Sequence, residues 1–102
     1  MIQNYTVEKN VQLLVAHLKA HNIKKVIASP GTQHMAFLGS LQFDGSFEIY
    51  SCVDERSAAY MAVGMAAESG EPVVICCTGA TASRNYLPAL TEAFYRKLPI
   101  IA

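Results

Sequence analysis

Residues 55–78 read ERSAAYMAVGMAAESGEPVVICCT, and this stretch decides the fold. Glu55 to Ser69 is rich in Ala, Met and Glu, which lose little on entering a helix. It stops at Gly70, a residue suited to the left-handed position just past a helix end. Pro72 then opens an apolar run, Val73-Val74-Ile75-Cys76-Cys77, which closes at Thr78. A proline at the first residue of a strand removes no ladder donor. A strand without polar alternation is covered on both faces, as in the parallel sheets of α/β proteins.

The same alternation continues outward. Upstream, Thr6 is placed to cap a first helix with Glu8 in its first turn, and Val11, Leu14, Val15 and Leu18 recur at helical spacing until His21-Asn22. Lys25 to Ser29 reads as a short buried strand ended by Pro30-Gly31. Met35 to Gln42 reads as a helix, Asp44-Gly45-Ser46 as a turn, and Phe47 to Val53 as a second buried strand. Downstream, Asn85 to Arg96 is a helix with Pro88 in its first turn, and Leu98 to Ala102 opens a fourth strand. The prediction is a three-layer α/β fold, a mostly parallel sheet with helices on both faces. Residues 1–102 are expected to be the N-terminal part of one domain, cut short after the fourth strand because the chain ends inside an apolar run.

Composition narrows the function. The 102 residues are 52% hydrophobic and 16% charged, with Lys plus Arg (8) balancing Asp plus Glu (8). That is too apolar for disorder and lacks the basic excess a nucleic-acid binder uses on phosphates. No apolar stretch reaches the ~20 residues that span a bilayer, and MIQNYTVEKN is not a signal peptide. Cys52, Cys76 and Cys77 form neither a CxxC pair nor a cysteine–histidine cluster. Reduced thiols in a cytoplasmic protein, without nucleic-acid or membrane partners and without a metal site of its own, are expected. His17 and His21, four residues apart but without an intervening HExxH glutamate, read as a solvated pair.

In such folds ligands sit beyond the carboxyl ends of the strands. Three segments lie there: Ser29 to His34, Asp54 to Ser57, and Thr78 to Asn85. None is a nucleotide fingerprint, since both GxGxxG and GxxxxGK[ST] are missing. The helix after Glu55 is lined with Ala58, Ala59, Ala62, Gly64, Ala66 and Ala67. Such a surface suits close packing within the domain or close approach of a second helix or flat ligand. Glu55, following a strand read as buried, is expected to be partly desolvated, which favours its neutral, proton-donating form; a charge that merely suits the helix dipole is the alternative.

Ser29-Pro30-Gly31, Val53-Asp54-Glu55-Arg56-Ser57-Ala58-Ala59, and Thr78-Gly79-Ala80-Thr81 with Asn85 and Pro88 resemble the pyrimidine-binding domain of thiamine-diphosphate enzymes. Within that superfamily the similarity is greatest to the 2-succinyl-5-enolpyruvyl-6-hydroxy-3-cyclohexene-1-carboxylate synthases of menaquinone biosynthesis, and looser to acetolactate synthase-like enzymes. The resemblance implies a 2-keto acid decarboxylase or carboligase, a transferase or lyase. Glu55 would then be catalytic, bonding the aminopyrimidine N1′ and thereby assisting loss of the thiazolium C2 proton. It implies cofactor contacts at Pro30, Gly31, Glu55, Thr78, Gly79 and Asn85, and substrate contacts at Thr32 and Gln33. Mg²⁺ would belong to a diphosphate domain that these residues lack, so the chain alone would be inactive.

The implied partners are a 2-keto acid and either a homodimeric or homotetrameric copy or a separate diphosphate-binding chain. A small subunit of a split decarboxylase, or a non-catalytic flavodoxin-like binding or assembly module, are the alternatives. Two dipeptides depart from the family pattern. Thr32-Gln33 replaces Ser-Arg, removing a charged fork of donors, and Gly79-Ala80 replaces Ser-Gly, which would strain Ala80 if the loop needs a positive φ.

Overall fold

A computed structural model describes residues 5–31 and 34–102. The elements are α1 (Lys9–Ala20), β1 (Lys25–Ala28), α2 (Met35–Asp44), β2 (Glu48–Ser51), α3 (Glu55–Ser69), β3 (Val73–Cys76), α4 (Ala80–Ser83), a 3₁₀ turn (Arg84–Tyr86), α5 (Leu87–Arg96) and β4 (Ile100–Ile101). The four strands form one parallel sheet in the order β2-β1-β3-β4. The predicted parallel α/β fold is the one observed.

Side chains alternate across the sheet, as the pleat requires. Ile27, Val73 and Ile75 pack on one face against Ala58, Ala59, Ala62, Val63 and Ala66 of α3 and Ala89 and Ala93 of α5. Val26 and Val74 pack on the other against Leu18 of α1 and Leu41 of α2. Packing inside the domain therefore accounts for four of the small residues of α3, which lie flat on the sheet with at most 1% exposure. Gly64 and Ala67 face outward.

Three local readings are corrected. Helix α1 begins at Lys9, not after Thr6. The Thr6 hydroxyl accepts from the Glu8 N–H (3.2 Å) and its carbonyl from Gln12 Nε2 (2.6 Å), so Thr6 braces the entry while Glu8 is the capping residue. Strand β2 is not buried: it lies at the sheet edge, with Glu48, Tyr50 and Ser51 exposed. The segment before α5 is not one helix from Asn85. Pro88 has no N–H to give and its ring would meet the carbonyl four residues back, so a regular helix starts at Leu87 and a separate helical turn precedes it. Helix α3 matches its predicted bounds, and Gly70 closes it in the left-handed conformation (φ 71°). No helix among the described residues is long and apolar enough to cross a membrane.

Candidate functional site

The chain leaves β1 toward β2 on one side and returns to β3 on the other, so the connections diverge between β1 and β3. Crevices at such switch points, outside the carboxyl ends, are where open α/β sheets hold ligands. The register sets Ala28 beside both Ser51 and Cys76, so all three candidate segments emerge at one edge.

Gly31, after β1, lies directly against the Thr78 side chain, after β3. A Cβ on Gly31 would overlap Thr78 Cγ2 and stand 3.2 Å from its Cβ and 3.3 Å from its Oγ1. The glycine is required by this close approach. Glu55 is the first residue of α3 and is half-buried. The residue before it, Asp54, supplies the helix cap: its carboxylate accepts from the Ser57 N–H and from Ser57 Oγ, both at 2.8 Å. Those bonds, the backbone one foremost, hold the Asp54 carboxyl below the usual carboxylate range.

A carboxylate whose folded-state pKa is depressed adds stability above its unfolded pKa, about 4, and loses it as pH falls through the lower folded value. Thermal melts of Asp54→Asn, which keeps an acceptor but does not titrate, are therefore expected to show a shallower loss of stability below about pH 4 than the parent.

Arg56 is exposed and makes none of the salt bridges among the described residues. Pro30 and Gly79 are exposed and Thr78 is half-buried. Asn85 is exposed, and its Nδ2 donates to the Thr81 and Ala82 carbonyls (3.1 and 3.2 Å). Thr32 and Gln33 lie outside the described residues. Ala80 begins α4 and is not among the residues with positive φ, so the strain that its replacement of glycine suggested does not arise.

Two groups gain meaning only from the structure. Ser29, fully buried, donates from Oγ to the Cys52 carbonyl at 2.8 Å. Tyr86 is 3% exposed, and its hydroxyl has no partner of good geometry among the described residues. Burial, then the neighbouring Cys77, raises its ionisation well above the usual phenol range. By contrast Phe94 and Tyr95 of α5 are 70% and 80% exposed.

A cavity of about 420 Å³, lined by His34, Phe37, Cys76, Thr78, Ser83 and Tyr86 among others, runs beside β3 beyond its pairing with β4. Burial, with a smaller push from Cys77, raises the Cys76 thiol to about 12. Since the thiolate is the nucleophile, Cys76 is expected to stay unmodified by iodoacetamide at pH 8 until the protein unfolds. Fragment-ion mass spectrometry of the peptide carrying Cys76 and Cys77 checks this.

The family described as "Thiamine pyrophosphate enzyme, N-terminal TPP binding domain" matches residues 9–102. The chain belongs to this family. Similar curated proteins are the 2-succinyl-5-enolpyruvyl-6-hydroxy-3-cyclohexene-1-carboxylate synthases of Phocaeicola vulgatus, 41% identical over 97 residues (95% of this chain, 17% of that protein), and Porphyromonas gingivalis, 41% identical over 102 residues (100% and 18%). That of Desulfotalea psychrophila is 37% identical over 94 residues (92% and 18%). The chain thus spans less than a fifth of the length of the curated relatives it matches.

Membership of the thiamine pyrophosphate enzymes names the ligand class that the edge is to be tested against. The structure fits it in one specific respect. The Thr78 side chain fills the space a Cβ on Gly31 would take, so the segments after β1 and β3 are held in direct contact at the carboxyl edge where open α/β sheets bind ligands.

Proposed function

We propose that this chain is the cofactor-activating part of a thiamine-diphosphate-dependent 2-keto acid decarboxylase or carboligase, a transferase or lyase of the menaquinone-pathway synthase type. The observation that carries the reading is the placement of Glu55. A carboxyl group stands at the first position of α3, half-buried, on the edge where Gly31 and Thr78 meet.

Bound thiamine diphosphate supplies an electron sink for cleavage beside the carbonyl of a 2-keto acid. The part of this chain is to hold and return a proton. Glu55 donates to the pyrimidine N1′ and takes the proton back, a task for a carboxyl group sheltered from water. Asp54 keeps the Glu55 backbone in place by capping the helix, so the side chain need not search for its partner. Pro30, Gly31, Thr78 and Gly79 form the floor under the pyrimidine, and Asn85 offers Oδ1 at its border. Thr32 and Gln33 contact the substrate, where Gln33 reads its acidic group by hydrogen bonds rather than by charge.

Mg²⁺ and the diphosphate belong to a second domain or separate chain. These residues alone are therefore inactive, and the site is completed by a further copy in a homodimer or homotetramer or by a separate diphosphate-binding chain. The exposed Leu87, Phe94 and Tyr95 of α5, with Tyr60 and Met61 of α3, support a surface that is covered in the cytoplasmic assembly. Sedimentation of the complete protein at micromolar concentration is expected to give a species larger than a monomer.

The test is titration of the complete protein with thiamine diphosphate and Mg²⁺ while 2-keto acids are screened for CO₂ release. Cofactor-dependent CO₂ release supports the reading. Binding without release from any keto acid would favour a non-catalytic module.

A further inference from the structure

The strand pair β1–β2 ends in an uneven way. Along this parallel ladder the Glu48 N–H donates to the Lys24 carbonyl (2.8 Å) and the Cys52 N–H to the Ala28 carbonyl (3.0 Å). Carried one step further, the pattern would have the N–H of residue 30 donate to the Cys52 carbonyl. Residue 30 is proline and has no N–H. The hydroxyl of Ser29 makes that bond instead, at 2.8 Å, from a side chain with no solvent exposure.

Ser29 is at the same time tied to the opposite neighbour, its N–H donating to the Cys76 carbonyl at 3.0 Å. One residue therefore links the ends of β2, β1 and β3. The tie leads on toward α3. The Cys52 thiol donates to the Asp54 carbonyl (3.5 Å), which also accepts from the Ala58 N–H (2.9 Å), and Asp54 caps the helix whose first residue is Glu55.

We propose that Ser29 is a positioning residue for Glu55: its hydroxyl replaces the ladder bond that Pro30 cannot make and so fixes the Cys52–Asp54 connection from which Glu55 projects. This rests on the reading of Glu55 given above. Proline ends the ladder and turns the chain toward Gly31, while the serine before it keeps the edge strand from peeling away at the point where α3 begins. An unbonded Cys52 carbonyl would leave β2, an edge strand with one paired neighbour among the described residues, free to shift.

The test uses the complete enzyme with Ser29→Ala and Ser29→Cys, the second keeping a weaker donor in a similar volume. Amide hydrogen exchange is expected to quicken about tenfold at Cys52, Ser57 and Ala58 in Ser29→Ala, the factor one hydrogen bond carries. Val73 and Ile75 should keep the parent rate. Ser29→Cys should fall between parent and Ser29→Ala. In Ser29→Ala/Pro30→Ala an N–H returns at residue 30, and slow exchange at Cys52 and Ser57 should return with it.

Turnover of Ser29→Ala should drop about ten- to a hundredfold, the scale of a small misplacement of a reacting group. In a Glu55→Gln background the same change should cost little further. Parent-like exchange at 52–58 in Ser29→Ala, or an equal loss of turnover in both backgrounds, would overturn the positioning role alone. Full turnover in Glu55→Gln by itself would instead overturn the reading of Glu55 and the role with it.

Discussion

Glu55→Gln in the complete enzyme is expected to bind thiamine diphosphate and to lose turnover by about 10²–10⁴-fold, the range a positioned acid–base group contributes. The amide fills the same space at the start of α3, and Asp54 still caps the helix through Ser57, so the fold around position 55 is undisturbed. What is lost is the exchangeable carboxyl proton. Cofactor affinity should change little, because on this reading most binding energy resides in the diphosphate and Mg²⁺. Deuterium uptake at the cofactor's C2 position, followed by NMR, should slow by a factor similar to that of turnover. Glu92→Gln is the control: Glu92 pairs with Arg96 across one turn of α5 (2.7 Å), away from the carboxyl edge, and its loss should leave turnover at the parent value. Unchanged exchange and turnover in Glu55→Gln would reduce Glu55 to a charge that suits the helix dipole.

Gly31→Ala is the second change expected to have a large effect. The new methyl group meets Thr78 Cγ2 directly, and turning that methyl away still leaves Thr78 Cβ 3.2 Å off, closer than an ordinary contact. The threonine must leave its rotamer and the loops after β1 and β3 must give by a few tenths of an ångström. Overpacking of this kind costs about 1–3 kcal/mol, and here it would fall on the proposed floor of the cofactor site. Denaturant unfolding should show the loss in midpoint, and the affinity for thiamine diphosphate should fall with it. Thr78→Ser removes the clashing methyl, so Gly31→Ala/Thr78→Ser should recover part of both losses. A cycle in which the two changes simply add would show that Gly31 and Thr78 do not interact.

Much of this molecule is legible from local pattern. The run Val73 to Cys77 has no polar alternation because β3 is covered on both faces, by α3 and α5 on one side and by α1 and α2 on the other. Helix α3 could be bounded at both ends because its start and stop are written in neighbouring residues, the Asp54-x-x-Ser57 cap and Gly70. The resemblance to thiamine-diphosphate enzymes likewise grouped Gly31, Glu55, Thr78 and Asn85, and the register of β1 with β2 and β3 brings their segments to one edge. Where local pattern misled, a distant partner had the deciding vote. Phe47 to Val53 is apolar enough to read as buried, yet it forms the edge strand.

By itself, then, the sequence determined the alternation of helices and strands, the parallel class of the sheet and the candidate segments at its carboxyl edge. These follow from hydrophobic period, capping and turn chemistry, which act over a few residues. The tertiary structure alone decided the strand order, the burial of Tyr86 but not of Phe94 or Tyr95, the contact of Gly31 with Thr78 across 47 positions of chain, and the bond from Ser29 to Cys52. Each of these depends on which strands become neighbours. That choice is settled by packing two sheet faces at once, and no short window of residues encodes it.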